Sequence, residues 1–378
     1  MKSLFIFFCL LASLNVVYAA DTDSLQVSLL TVMPRSNEVY TYFGHTALRL
    51  YDPSTDLDEV YNWGTFDFDT PNFIYRFVKG ETDYFLSHTK YARFLWLYAQ
   101  GNSMIVEQVL NLHADEKARL TAQLKHNLQP ENLVYRYNFF FDNCTTRPRD
   151  MIENSLSQRL QYCESSQITF RKRIHDCTKS SPWLTFGIDL LIGSGADSII
   201  GGRSESFLPT RLMCALERSG VVQSQQTVLQ SSPVVVPQTH FWDSPMSIGV
   251  ILALFYLSLA LTRGKKRRIF RFCAAFLFLI AGVGGCIVAF VTFISYHPCT
   301  CPNWNLVWLH PLHFIAFITC LTAKPRRWMR LYHSLNIFLL IALLASWYFL
   351  PQALNPAIIP YIICLIAASG GEMKSNSD

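Results

Sequence analysis

Hydrophobic and polar residues are interleaved along roughly the first two-thirds of the chain and segregate after it. From residue 246 onward, long uncharged runs are separated by short polar loops. The interleaved part breaks into recognisable elements. "LQVSLLTVM" (25–33) reads as a buried strand, and "GHTALRLYD" (44–52) with "EVYNWGTF" (59–66) as a hairpin across the turn-rich "PSTDLD". "PNFIYRFVKG" reads as a short helix ended by Gly80, and "KYARFLWLYAQG" as another ended by Gly101. "SMIVEQVLNL" predicts a strand; "ADEKARLTAQLKHNL", with acidic residues in its first turn and leucines at helical spacing, predicts a helix. "NLVYRYNFFF" predicts a further strand, and "CTTRPRDMIENSL" a helix that begins at or just after its cysteine. The mixture is α+β, and residues 21–240 suffice for one globular domain.

The apolar part predicts a second, all-α domain over residues 246–370. Five candidate spans fall near 246–262, 269–295, 306–322, 331–350 and 357–370. "RGKKRR" (263–268) and "AKPRRWMR" (323–330) carry the basic residues, whereas "YHPCTCPNWN" (296–305) and "PQALNPA" (351–357) carry none, so the first pair is cytoplasmic, as is a tail at 371–378. Residues 1–20, with one lysine, an apolar stretch and Ala19–Ala20, have the build of a signal peptide, so the α+β domain is exported. The composition agrees with membrane insertion: 51% hydrophobic residues against 16% charged. Because the net charge of +5 concentrates in loops that orient the spans, it argues against nucleic acid as a partner.

Two residues carry candidate chemistry. Cys144 occupies a strand-to-helix junction, where unpaired N–H groups and the helix dipole favour a thiolate. His45 opens a strand behind Gly44, and beside such a cysteine it would be the base of a thiol nucleophile. Taken singly, a strand histidine is usually a structural hydrogen-bonding group and an exported cysteine usually half of a disulfide. Of the other exported-side cysteines, Cys163 with Cys177 is the preferred bridge, leaving Cys214 unassigned, and Cys299 with Cys301 is a tight candidate pair. A zinc site from His297, Cys299, Cys301, His310 and His313 is a poor match to ordinary ligand spacing, so no metal is expected. Ionisable groups in the spans are almost confined to His310 and His313, which disfavours transport.

The set "TYFGHTALRL", "YNWGTF" and "YRYNFFFDNCTTRPRD", with an export signal before it and a five-span tail after it, resembles the Lnb family of lipoprotein N-acyltransferases of the Bacteroidota. The resemblance covers essentially the whole chain. It implies an exported domain of permuted papain-like (NlpC/P60-type) fold with Cys144 as nucleophile and His45 as general base. Asn62 is the polar candidate for orienting the imidazole, or else a buried turn-stabilising residue. Asn143 and the Cys144 N–H are offered to an oxyanion. Arg147 and Arg149 serve either a lipid phosphate or ion pairs with Asp142 and Asp150. The implied reaction passes an acyl chain from a phospholipid through a Cys144 thioester to the α-amine of a diacylated lipoprotein at the bacterial inner membrane. It needs no cofactor. The aromatic outer loop at 296–311 would then shape lipid access. The alternatives are a membrane-tethered cysteine peptidase or amidase acting on cell-wall peptide, for which a single span would suffice, and a non-catalytic scaffold in which Cys144 is structural.

Overall fold

The computed structural model describes residues 24–36, 38–232, 240–261, 266–322 and 327–375. The signal peptide at 1–20, the basic residues at 263–265 and 323–326, and the last three residues of the tail lie outside them.

Seven strands form one antiparallel sheet in the order β6-β4-β3-β2-β1-β5-β7: β1 Gln26–Val32, β2 His45–Asp52, β3 Leu57–Thr65, β4 Asp83–Lys90, β5 Ile105–Leu110, β6 Val134–Arg136 and β7 Val222–Leu229. The interior strand β1 is covered on both faces, which is why its sequence is a nearly continuous apolar run. Alternation sorts its residues. Val27 and Leu29 join the core shared with α3 (Ala114–Asn127), α4 (Thr146–Ser155) and α7 (Pro209–Arg218); Leu30 and Val32 join the one beneath α2 (Tyr91–Gln100). Between β3 and β4 lies the short α1 (Phe73–Lys79), closed by Gly80 in the left-handed conformation. A third apolar cluster, from Phe140 through Phe170 to Phe207, is built around α5 (Phe170–Thr178) and α6 (Pro182–Leu191).

The strand expected over 132–141 is pared down to Val134–Arg136. From Asn138 the chain folds back in a tight turn, with the Asn138 and Asp142 backbones bonded to each other at 2.9 Å. The disulfide pairing also differs. Cys163 is bonded to Cys214, because the segment around it lies against α7, where Arg211 donates to the Cys163 carbonyl. Cys177 is a free thiol on α5. Cys299 and Cys301 are likewise unpaired: the first packs against the Phe140–Phe207 cluster and the second is exposed.

The second domain is helical: α8 Pro245–Ala260, α9 Lys266–Phe293, α10 His313–Thr322, α11 Arg327–Ala345 and α12 Ile358–Ser375. Among the described helices, those starting at Arg267 and Arg327 are long and apolar enough to cross a membrane, and three are shorter. The span expected from 306 begins late, because Pro311 cannot continue a helix from the 3₁₀ turn Trp304–Val307. The last helix runs through residues expected in the tail. The polar content of the spans is larger than expected from His310 and His313 alone. His333 and Asn336 are buried on α11, and Arg271 lies 3.7 Å from Glu372.

Both loops free of basic residues grip the α+β domain. Asn303 and Asn305 donate side-chain N–H groups to carbonyls at the end of α6, Gln352 to Ile192, and Asn355 to the Asp189 carboxylate at 2.8 Å. On the other side, Tyr296 N–H donates to the Lys79 carbonyl at 2.8 Å and the His297 ring to that of Phe77. The two domains therefore pack through α6 and α1, with both outer loops on the exported side, as the distribution of basic residues requires.

Candidate active site

Cys144 stands two residues before α4, at the ends of β2 and β3. The turn that presents it is built by Asn143. Its side-chain oxygen accepts the N–H groups of Thr145 (2.7 Å) and Thr146 (2.8 Å), and its backbone carbonyl accepts that of Arg147. The Cys144 N–H makes no hydrogen bond among the described residues, so one backbone donor of the helix entrance stays free beside the sulfur. Gly64 makes the approach possible. It sits at the β3 irregularity with φ +93°, and a Cβ there would meet the Tyr137 ring at 3.2 Å and the Cys144 Cβ at 3.6 Å.

His45, the first residue of β2, is brought to the thiol by Gly44, which has φ +75° and no room for a side chain against the Val32 carbonyl. One imidazole nitrogen, Nε2, lies 3.3 Å from the Asn62 side-chain oxygen. The register explains the meeting: Asn62 pairs with Ala47, so it faces the same side of the sheet as His45, displaced by one pleat. With the Asn62 Oδ1 as acceptor, Nε2 carries the proton of that bond and Nδ1 is the other ring nitrogen available for proton transfer. Tyr98 of α2 covers the ring, stacked at 6.3 Å.

The thiol and the imidazole shift each other's titration. Burial pushes the Cys144 thiol up, but the charge and hydrogen bond of His45, the Thr46 N–H and the Tyr137 hydroxyl outweigh it and bring it down to about 7. Burial alone would lower His45; the Cys144 thiolate and Asn62 raise it instead. A thiol and an imidazole coupled in this way are the groups that nucleophilic and general acid–base chemistry use.

The structure thus brings together Cys144, His45 and Asn62, and it gives the other expected residues different work. The Asn143 amide is not an oxyanion donor: its N–H groups are spent on the carbonyls of Phe139 (2.7 Å) and Phe207 (2.9 Å). Arg147 forms a bidentate pair with Asp142 and lies 3.5 Å over the Tyr135 ring. Arg149 is buried, bonded to Asp150 and to the Arg203 carbonyl. Both arginines are occupied in the intraprotein pairs that were the alternative to a lipid phosphate. The residue that escaped the sequence reading is Tyr137, whose hydroxyl is 3.8 Å from the sulfur. It lies in the run "YRYNFFF", where nothing in the spacing separates one aromatic from the next.

A free, buried cysteine at a helix entrance and a histidine bonded to an asparagine on the neighbouring strand lie at one end of the sheet, in an α+β domain packed on a helical domain with apolar helices. Family models agree with both parts. The Lnb N-terminal periplasmic domain matches residues 16–176, and the Lnb transmembrane domain matches 237–375. The chain belongs to the Lnb family, as a membrane protein with a periplasmic domain. No curated protein and no solved structure matches it.

Proposed function

We propose that the protein is a lipoprotein N-acyltransferase of the inner membrane, spanning it several times, and that Cys144 carries the acyl chain. The observation that supports this most is the Cys144–His45–Asn62 arrangement in a domain packed, through its outer loops, on an Lnb transmembrane domain. The Cys144 thiolate attacks the ester carbonyl of a phospholipid; the S–C bond forms as the C–O bond breaks, and the proton on His45 passes to the leaving lysophospholipid oxygen. The α-amine of a diacylglyceryl-cysteine then attacks the thioester. The C–N bond forms, the C–S bond breaks, and His45 accepts the amine proton as the thiolate returns. Asn62 holds the imidazole, and the Cys144 N–H faces the oxyanion of each tetrahedral intermediate. Tyr137 holds the resting thiolate.

The thioester must survive until the amine arrives, which requires a site closed to bulk water. Cys144 is buried at 8% exposure, with the Tyr137 hydroxyl against its sulfur. The test is incubation of the full-length protein with phospholipid and a diacylated lipopeptide. Amide-linked acyl transfer by wild type and not by Cys144→Ser is expected. Cleavage of peptidoglycan peptides without acyl transfer would replace this reading with the cell-wall hydrolase.

A further inference from the structure

An open apolar groove of about 1050 Å³ lies where α1 meets the last two turns of α9. Phe68, Phe73, Ile74 and Tyr75 form one wall and Ile287 and Phe290 the other. Its size is at the upper end of the ~300–1,000 Å³ that small-molecule sites occupy. Its position fixes what surrounds it. α9 is a membrane-spanning helix whose far end leads into the outer loop that grips α1 through Tyr296 and His297, so the groove opens at the exported edge of the bilayer. An apolar wall there, with Ile74 78% and Phe68 72% exposed, would be an aggregation liability in a soluble domain. Beside a bilayer it is a surface for lipid.

The groove wall is continuous with the packing around the thiol. Phe68 and Phe73, in its wall, both touch Phe66, with ring centroids 4.7 and 5.6 Å apart. Phe66 touches Tyr84 at 5.1 Å, Tyr84 touches Tyr137 at 4.7 Å, and the Tyr137 hydroxyl reaches the Cys144 sulfur at 3.8 Å. A continuous line of aromatic rings therefore connects the bilayer edge to the thiol. Beyond Gly80, at the other end of α1, a smaller polar cavity of about 240 Å³ is lined by Glu81, Arg136, Tyr137 and Asn138. An amphipathic molecule placed along α1 would have its apolar part in the groove and its polar part near Tyr137.

We infer that this groove seats the acyl chain of the phospholipid donor and aligns its ester with Cys144, an inference that rests on the acyltransferase reading. A chain leaving the bilayer for the groove exchanges one apolar environment for another, so the groove gains little affinity from the transfer. Its contribution is alignment, expressed in the rate of thioester formation.

The experiment uses the full-length protein and reads acyl-adduct formation on Cys144 by intact mass, with a long-chain and a short-chain phospholipid as donors. Ile74→Trp and Ile287→Trp fill the groove. Both positions are more than half exposed, at 78% and 51%, so the bulk is tolerated by the fold. Ile341→Trp, on an exposed face of α11, is the control. The two groove variants are expected to slow acylation by the long-chain donor on the order of tenfold or more while keeping the wild-type rate with the short-chain donor. The control is expected to match wild type with both. Unchanged long-chain acylation, or an equal loss with both donors, overturns the groove assignment and leaves the acyltransferase standing. Absence of any adduct on wild type overturns both.

Discussion

Replacing His45 by glutamine, which keeps the approximate shape of the side chain and removes its charge, tests the electrostatics of the pair. With His45 present the Cys144 thiol sits at about 7, against an ordinary value of 9.0. Burial is the largest influence on it and acts upward, so without the two contributions of His45 the thiol moves back up toward its ordinary value of 9.0. Two units correspond to roughly 3 kcal/mol. At pH 7 the thiolate fraction then falls from about one half to about one per cent. The rate of attack on a disulfide probe does not fall by the same factor. A more basic thiolate is intrinsically a better nucleophile, with a Brønsted slope of about 0.4–0.5, which restores on the order of tenfold. The net loss at pH 7 is only about five- to tenfold, so the informative quantity is the midpoint of the pH profile. In wild type, reactivity rises as pH increases through about 7 and is lost as pH falls below it; in His45→Gln the midpoint moves up toward 9 with a taller plateau. The assay is thiol–disulfide exchange with a small aromatic disulfide, read at the Cys144 peptide by mass spectrometry, because Cys286 and Cys301 are also exposed free thiols. A midpoint that stays near 7 in the variant would refute the coupling of the two groups.

Tyr137→Phe keeps the ring against Tyr84 and removes the hydroxyl donor to the sulfur; the loss of a bond to a charged group, about 1–2 kcal/mol, should raise the Cys144 midpoint by about one unit in the same assay. No movement of the midpoint would remove Tyr137 from the site. Arg171→Met removes the guanidinium shared by the buried Asp189 and the half-buried Asp197, leaving Asp189 with the His175 ring and Asn355 of the membrane domain. Breaking a buried pair from one side costs about 3–5 kcal/mol, so thermal unfolding in detergent should shift clearly downward and be partly restored by adding Asp189→Asn. An unshifted transition would mean that this network does not hold the domains together.

The parts of the fold legible in the sequence were those set by local rules. The apolar run of β1, the turn that joins β2 to β3, the helix ended at Gly80, and the junction that presents Cys144 are each determined within a few residues. His45 was singled out by its place behind Gly44 at the start of a strand, and its role as base was carried over from the family resemblance. What the sequence withheld depends on distant partners. Asn143 looked like an oxyanion donor until Phe207, 64 residues away, was seen to take its amide. Cys163 pairs with Cys214 across 51 residues because α7 returns to the sheet. Tyr137 is distinguished from its aromatic neighbours only by the gap at Gly64 into which its ring fits. The buried His333 and Asn336 were obscured because a one-dimensional hydropathy pattern does not tell the inward face of a span from the outward one.

The central claim is tested most directly by mass spectrometry of lipoprotein N-termini from cells depleted of their own N-acyltransferase and supplied with either this protein or its Cys144→Ser variant, both verified to be made and inserted. The account predicts one additional amide-linked acyl chain with wild type and a free α-amine with the variant. Free amines with both proteins, or acylation by both, would contradict it.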